Sequence, residues 1–278
     1  MLAVVPDFAP LADWLPVTAP VLAMLIVAAG FAGWIDAVVG GGGLIQLPAL
    51  VIGVPKDVAT PFVLGTNKIS SFAGTLSASW VYLKRIKVEL ALLVPLVIGA
   101  FLGSAVGASL SRYLPREWLT PVVLVAVVGV GAYVFTKPKL GLHHKPQHTG
   151  RAAGVRAAVI GLIVGLYDGL LGPGTGSFFV ILIVVVLGYG FLQASVNAKI
   201  ANLTTNVAAI GVYGIHGELL LVLGGLMALA NITGGIIGAH MAVANGNAFI
   251  RRVFLVVTAI LVVKLGYDTV VEFLPSAR

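Results

Sequence analysis

From Val21 to Val271 the chain is a succession of apolar runs with no room between them for a soluble domain. The runs are Val21 to Val39, Leu44 to Val54, Ala59 to Tyr82, Leu90 to Leu110 and Leu119 to Phe135. A polar stretch, Lys137 to Arg151, follows, and after it come Ala157 to Leu171, Ser177 to Leu187, Gln193 to Ile215, Leu219 to Val243 and Val253 to Val271. Runs of about 20 apolar residues fit a hydrocarbon core about 30 Å thick. Charged residues make up 10% of the chain, where a soluble domain carries about 25%. A water-soluble enzyme is excluded, and one membrane domain is expected to occupy residues 1–278.

The order long, short, long, long, long occurs in both halves and points to an internal repeat. Residues match at an offset of 131 or 132: Asp36 with Asp168, Gly40 with Gly172, Gly42 with Gly174, Lys68 with Lys199, Tyr82 with Tyr213 and Gly107 with Gly238. Ionisable residues inside apolar runs are rare and costly, so two Asp and two Lys in register outweigh the chance similarity of apolar sequence. The expected repeats are about 20–136 and about 153–272, with a linker of about 137–152. The short second run, 11 residues in each half, cannot cross the membrane at about 1.5 Å per residue. It is expected to be a half-helix, and it follows Gly40-Gly41-Gly42-Gly43 in one half and Gly172-Pro173-Gly174-Thr175-Gly176 in the other.

Charge decides whether that half-helix turns back or continues across. With a hairpin, one side of the membrane collects Lys84, Arg85, Lys87, Lys137, Lys139, Lys145, Arg151, Arg156, Arg251 and Arg252 against Glu89. The other side holds Lys56, Arg112, Arg116 and Arg278 against Asp7, Asp13, Asp57, Glu117, Glu218, Asp268 and Glu272. With a crossing, the basic residues divide nine to five. The positive-inside rule therefore favours the hairpin, with both termini outside and the linker in the cytoplasm. A hairpin plus three crossings is an odd unit, so the halves come out inverted. The expected fold is an all-α polytopic membrane protein of two inverted repeats, each a re-entrant, broken-helix hairpin plus three transmembrane helices, an architecture of many secondary transporters. The net charge of +7 then reports orientation and lipid contact, and nucleic acid binding is not implied. Met1 to Pro16 carry Asp7 and Asp13 without Lys or Arg, the wrong sign for a cleaved signal peptide, so these residues are expected in the mature chain. The absence of cysteine excludes disulfides, thiol catalysis and cysteine-held metals.

Each half-helix begins at its glycine cluster, so its unpaired N–H groups and positive dipole end are expected near the membrane centre, where they attract anions. The N–H groups of Gly42, Gly43, Gly174, Thr175, Gly176 and Ser177 are the candidates for such a nest. A tight turn that binds nothing is the alternative. Lys68 lies roughly 13 Å into its helix and Lys199 about as deep, too far for easy snorkelling. A central Lys costs on the order of 3 kcal/mol to insert, so it should face a water-filled cavity, a carboxylate or a bound anion. Two of them suggest a cationic site on a pseudo-twofold axis; alternatively, each pairs with Asp36 or Asp168 to hold the bundle together. Thr66, Asn67, Ser70 and Ser71, with Asn197, Asn202, Thr204, Thr205 and Asn206, can supply the hydrogen bonds an oxyanion loses on leaving water. Asp36 and Asp168 could carry a coupled proton, ligate a cation or brace the hairpin, since an unpaired carboxylate would repel an anion. Lys264 has no counterpart in the first half. His143, His144 and His148 fall in the polar linker, where a metal site lacks fixed geometry, so neither a metal nor a cofactor is expected.

The segments Asp36-Ala-Val-Val-Gly-Gly-Gly-Gly-Leu-Ile-Gln-Leu-Pro48, Gly65-Thr-Asn-Lys68, Asp168-Gly-Leu-Leu-Gly-Pro-Gly-Thr-Gly-Ser177 and Asn197-Ala-Lys199 resemble the TauE/SafE family of sulfite exporters, over about residues 20 to 272. The second glycine cluster is most similar to that of the YfcA-like branch. The resemblance implies a permease of the bacterial inner membrane for small anions such as sulfite, sulfoacetate or other organosulfonates. Asn67 directly precedes Lys68 whereas Asn197 stands two before Lys199, and Thr175 replaces a glycine, so the two half-sites are expected to be unequal.

The expected function is alternating-access transport of a small anion, with a proton as one candidate coupling ion. An anion channel is one rival, and an intramembrane aspartyl protease using the two membrane Asp is another. Because the chain has no cysteine, its topology is open to a direct check. Single cysteines at Asp57 and Gln147 should react with a membrane-impermeant thiol reagent from opposite sides, and labelling of both from one side rejects the hairpin arrangement.

Overall fold

The computed structural model describes residues 15–55, 57–113, 136, 140–148 and 150–273, and the regular elements among them are all helical. They are α1 (Ala19–Val39), α2 (Gly43–Gly53), α3 (Thr60–Leu83), α4 (Leu90–Leu110), a 3-10 turn (Ser111–Tyr113), α5 (Gly150–Leu170), α6 (Thr175–Leu187), α7 (Phe191–Ile215) and α8 (Leu221–Phe273). The run from Leu119 to Phe135 lies outside the described residues, as do Asp7, Asp13, Lys56, Arg116, Glu117, Lys137, Lys139 and Arg278. α5 begins seven residues ahead of the apolar run at Ala157, taking in Arg151 and Arg156, which stay exposed. The last two runs form two helices, numbered together as α8, that are divided where Gly246 takes the non-helical φ 66, ψ −161.

α1, α4, α5 and the part of α8 from Leu221 to Ile260 have the length and apolar content to cross a bilayer. The protein is a polytopic membrane protein. α3 and α7 are also of spanning length, at 24 and 25 residues. They carry Lys68, Asn67 and Ser70, and Lys199, Asn197 and Asn202, all buried among the other helices.

The two short helices do not run onward. A Cβ on Gly53, at the end of α2, would stand 3.0 Å from Val21 and 3.3 Å from Leu25, near the start of α1. α2 therefore folds back along α1. In the second half the Lys145 N–H donates to the Gly188 carbonyl at 3.0 Å and the Gln147 N–H to the Leu187 carbonyl at 2.9 Å, so the end of α6 returns to the level where α5 begins.

The long helices pack across the halves: α4 lies against α5, and α8 against α1. Both seams are made of glycine. A Cβ on Gly99, Gly103 or Gly107 of α4 would collide with the carbonyls of Ala158, Leu162 and Leu166, and one on Gly161, Gly165 or Gly169 of α5 with those of Leu96, Ala100 and Ser104. In the other seam Gly33 abuts the Asn231 backbone, and Gly234 and Gly238 abut the carbonyls of Gly30 and Trp34. Lipid tails are as apolar as leucine, so association in the membrane depends on this backbone-to-backbone contact. Two tyrosines close the frame. Tyr82 donates to the Ala37 carbonyl at 2.8 Å, and its repeat mate Tyr213 donates to the Gly169 carbonyl at 3.4 Å.

Gly165→Val is expected to lower stability by about 1–3 kcal/mol through forced separation of α4 and α5. Gly211→Ala, where an added Cβ meets nothing within 4 Å, should be neutral or slightly stabilising. Thermal unfolding in detergent compares the two.

Candidate functional site

α1 stops at Gly40 and α5 stops just before Gly172 because each glycine takes a left-handed backbone, φ 83 and φ 89, that other residues rarely adopt. α2 then starts behind Gly42 and α6 behind Gly174. The two tips touch. The Ser177 N–H donates to the Gly40 carbonyl at 3.1 Å, and Ser177 Oγ donates to the Val39 carbonyl at 2.8 Å. A Cβ at Gly40 would run into the Gly176 backbone.

Beside the tips lie two ion pairs. Lys68 Nζ is 2.6 Å from Asp168 Oδ2, and Lys199 Nζ is 2.8 Å from Asp36 Oδ2. Each lysine stands on the third helix of one half, and its carboxylate stands near the end of the first helix of the other. The side chains are 4% and 2% exposed in the first pair and 0% and 13% in the second. Thr75 Oγ1 donates to Asp36 Oδ2 as well, at 3.3 Å. This arrangement answers the cost of deep ammonium groups with buried countercharge of good hydrogen-bond geometry.

Between tips and ion pairs is a cavity of about 10 Å³, room for about one water. Asn67, Lys68, Asn202, Gly43, Gly174, Thr175, Gly176, Asp36 and Asp168 line it, and Lys199 reaches it through Asp36. Ser71, Asn206, Gly40 and Gly172 complete the wall. Asn206 is 1% exposed, and its Nδ2 has no hydrogen-bond partner among the described residues. An unpaired buried amide donor on a cavity wall is costly unless something fills the cavity. Seven residues of the sequence reading stand elsewhere, among them Ser70, Thr204 and Thr205, whose hydroxyls donate to Gln46 Oε1 and to the Ile200 and Asn202 carbonyls. Ser177 is spent on joining the tips, and Gly42 packs on Ala32 and Asp36. Thr66 Oγ1 donates to the Phe62 carbonyl and accepts from the Leu220 N–H. Asn197 Nδ2 donates to the Gln193 carbonyl.

A family profile described as "Sulfite exporter TauE/SafE" matches residues 25–265. The chain belongs to this family. Among its TauE/SafE relatives is a probable membrane transporter protein, ORF9, of a Sinorhizobium species, 34% identical over 89% of this chain and 93% of the relative. A probable membrane transporter protein of Haemophilus influenzae is 34% identical over 89% of this chain and 95% of its own length. The probable membrane transporter protein YfcA of Escherichia coli is 31% identical over 89% and 90%. No solved structure matches the chain. A TauE/SafE protein is a membrane transporter and not an enzyme. In keeping with that, each Asp is held by an ammonium group, where a protease dyad needs two carboxylates sharing a proton.

Two polar residues at the site escaped the sequence reading. Gln46 in α2 and Asn231 in α8 are buried and bonded to each other, Asn231 Nδ2 donating to Gln46 Oε1 at 2.7 Å. The available signal was an amide standing alone in an apolar helix, the same argument that singled out the lysines. Lys264 falls within α8, and its side chain lies outside the described residues. In the linker, His144 packs edge-on against Tyr189 and accepts the Gly190 N–H at 3.4 Å.

Lys68→Gln should lower stability by about 3–5 kcal/mol, because it leaves Asp168 buried without its counterion. Adding Asp168→Asn removes the stranded charge, so the double variant is expected to recover most of the loss. Unfolding midpoints in detergent measure both.

Proposed function

We propose that this TauE/SafE protein is a secondary transporter that moves small oxyanions, of the sulfite, sulfoacetate or organosulfonate kind, across the bacterial cytoplasmic membrane by alternating access. The observation that carries the reading is the pair of crossed lysine–aspartate contacts set against two helix N-termini. With both pairs closed their four charges cancel; α1 and α5 end at the same tips, but carbonyls there accept from Tyr82, Ser177 and Tyr213, whereas the starts of α2 and α6 each present about half a positive charge. Asn206, whose Nδ2 has no partner among the described residues, adds a donor on the cavity wall. An oxyanion entering here competes with a carboxylate for a lysine, and the displaced carboxylate takes up a proton. Asp36 and Asp168 are then the coupling residues, anion and proton entering together. A cavity with room for about one water admits an ion of several heavy atoms only when the tips part. Exposure of the site by such parting, first on one side and then on the other, is alternating access.

The two halves are read as inverted repeats built on re-entrant hairpins. The return of α2 to the start of α1 and of α6 to Gln147 supports the hairpins. Tyr213, near the end of α7, lies beside Gly65, near the start of α3, so these matched helices run in opposite directions. With the linker in the cytoplasm, both termini face outside.

Purified protein in liposomes, offered sulfite, sulfoacetate and acetate, tests the reading. Flux that saturates and responds to a pH gradient is expected; flux that rises without saturation assigns a channel instead. The Lys68→Gln, Asp168→Asn double variant should be folded and lose transport. In folded protein, Asp36→Asn or Asp168→Asn should abolish pH-driven flux and leave anion-for-anion exchange, whereas equal loss of both modes makes the carboxylates structural.

A further inference from the structure

Gln46 is completely buried, and its amide is fully used. Nε2 donates to Asn67 Oδ1 at 2.9 Å and to the Asn67 backbone carbonyl at 3.2 Å. Oε1 accepts from Ser70 Oγ at 3.1 Å and from Asn231 Nδ2 at 2.7 Å. A backbone carbonyl can only accept, so the nitrogen of Gln46 must be the atom that faces Asn67. This fixes the second amide in turn. Asn67 Oδ1 faces Gln46, and Nδ2 is the end left for the cavity that Asn67 lines next to Lys68.

We propose that Gln46, braced by Ser70 and Asn231, is a positioning residue that holds the Asn67 amide with its N–H groups toward the transported oxyanion. The inference rests on the oxyanion reading of the cavity. An amide side chain free to turn would present its oxygen half of the time and repel an anion; one held by Gln46 presents only donors. The device exists once. At the repeat offset Gln46 corresponds to Phe178, Ser70 to Ala201 and Asn231 to Ala100, none of which can donate or accept through its side chain. The first half thus orients the ligand, while the second contributes Asn206, whose donor stands without a partner among the described residues.

The test is a double-mutant cycle on flux of sulfite, sulfoacetate and acetate into liposomes, normalised to folded protein. Gln46→Met should raise the half-saturating concentration about tenfold with little change in maximal rate, the effect of losing one hydrogen bond to a charged group. Gln46→Leu, of similar size and without donor or acceptor, serves as the second variant and should do the same. Asn67→Ala should raise the value by a similar factor, and Gln46→Met added to it should raise it no further. Unchanged half-saturation in both folded Gln46 variants, or effects of Gln46→Met and Asn67→Ala that multiply, overturns the positioning role while leaving the oxyanion site standing. If the folded Lys68→Gln, Asp168→Asn variant transports like the wild type, the site reading fails, and this inference fails with it.

Discussion

Two lysines buried at the centre of an apolar protein, each matched by a carboxylate from the opposite half of the chain, govern the arrangement around them. A lone charge at this depth is among the most expensive things a membrane protein can carry, and neither half supplies the partner for its own lysine. The carboxylates stand near the ends of α1 and α5, so satisfying the lysines brings both helix ends to the same place. From that follow the meeting of the tips through Ser177 and Gly40, and the convergence of two helix N-termini on one cavity. The same contacts that hold the fold together thus build the cavity proposed above as the anion site.

Much of this was legible in the sequence for physical reasons. An 11-residue apolar run cannot span a bilayer, and a glycine cluster beside it marks the break. Lys68 and Lys199 advertise themselves because cost makes such residues conspicuous. Less legible was who pairs with whom. Sequence offset relates Lys68 to Lys199 and Asp36 to Asp168, but it says nothing about whether a pair forms within a half or across it. Tertiary geometry alone decides that, and it decides for crossing. Ser177 shows the same limit: its position at the start of α6 suggests a donor for ligand, yet the opposite tip claims its N–H and its hydroxyl. Gln46 and Asn231 are 185 residues apart, and no local pattern links them. The break in α8 at Gly246 was legible as well, since it falls between the two apolar runs that the sequence separates, Leu219 to Val243 and Val253 to Val271.

Symmetry in the frame coexists with asymmetry in the site. The backbone turns at Gly40 and Gly172, the tyrosine struts and the ion pairs recur in both halves. The amide network around Asn67 does not, and its counterparts are Phe178, Ala201 and Ala100. The frame matches between the halves, while side chains without a counterpart differentiate the two walls of the cavity.

On the inverted-repeat reading proposed above, the glycine seams carry a consequence for ancestry. Each of the two seams joins a helix of one half to a helix of the other, α4 to α5 and α8 to α1. A half-length chain would therefore have a bare glycine face on its first helix and another on its fourth, along with a lysine and an aspartate that lack mates. Such a chain is complete only as a pair, and in the pair both seams form at once. Fusing two copies through a linker turns a bimolecular assembly into an intramolecular one, after which the copies are free to diverge and neither can be lost.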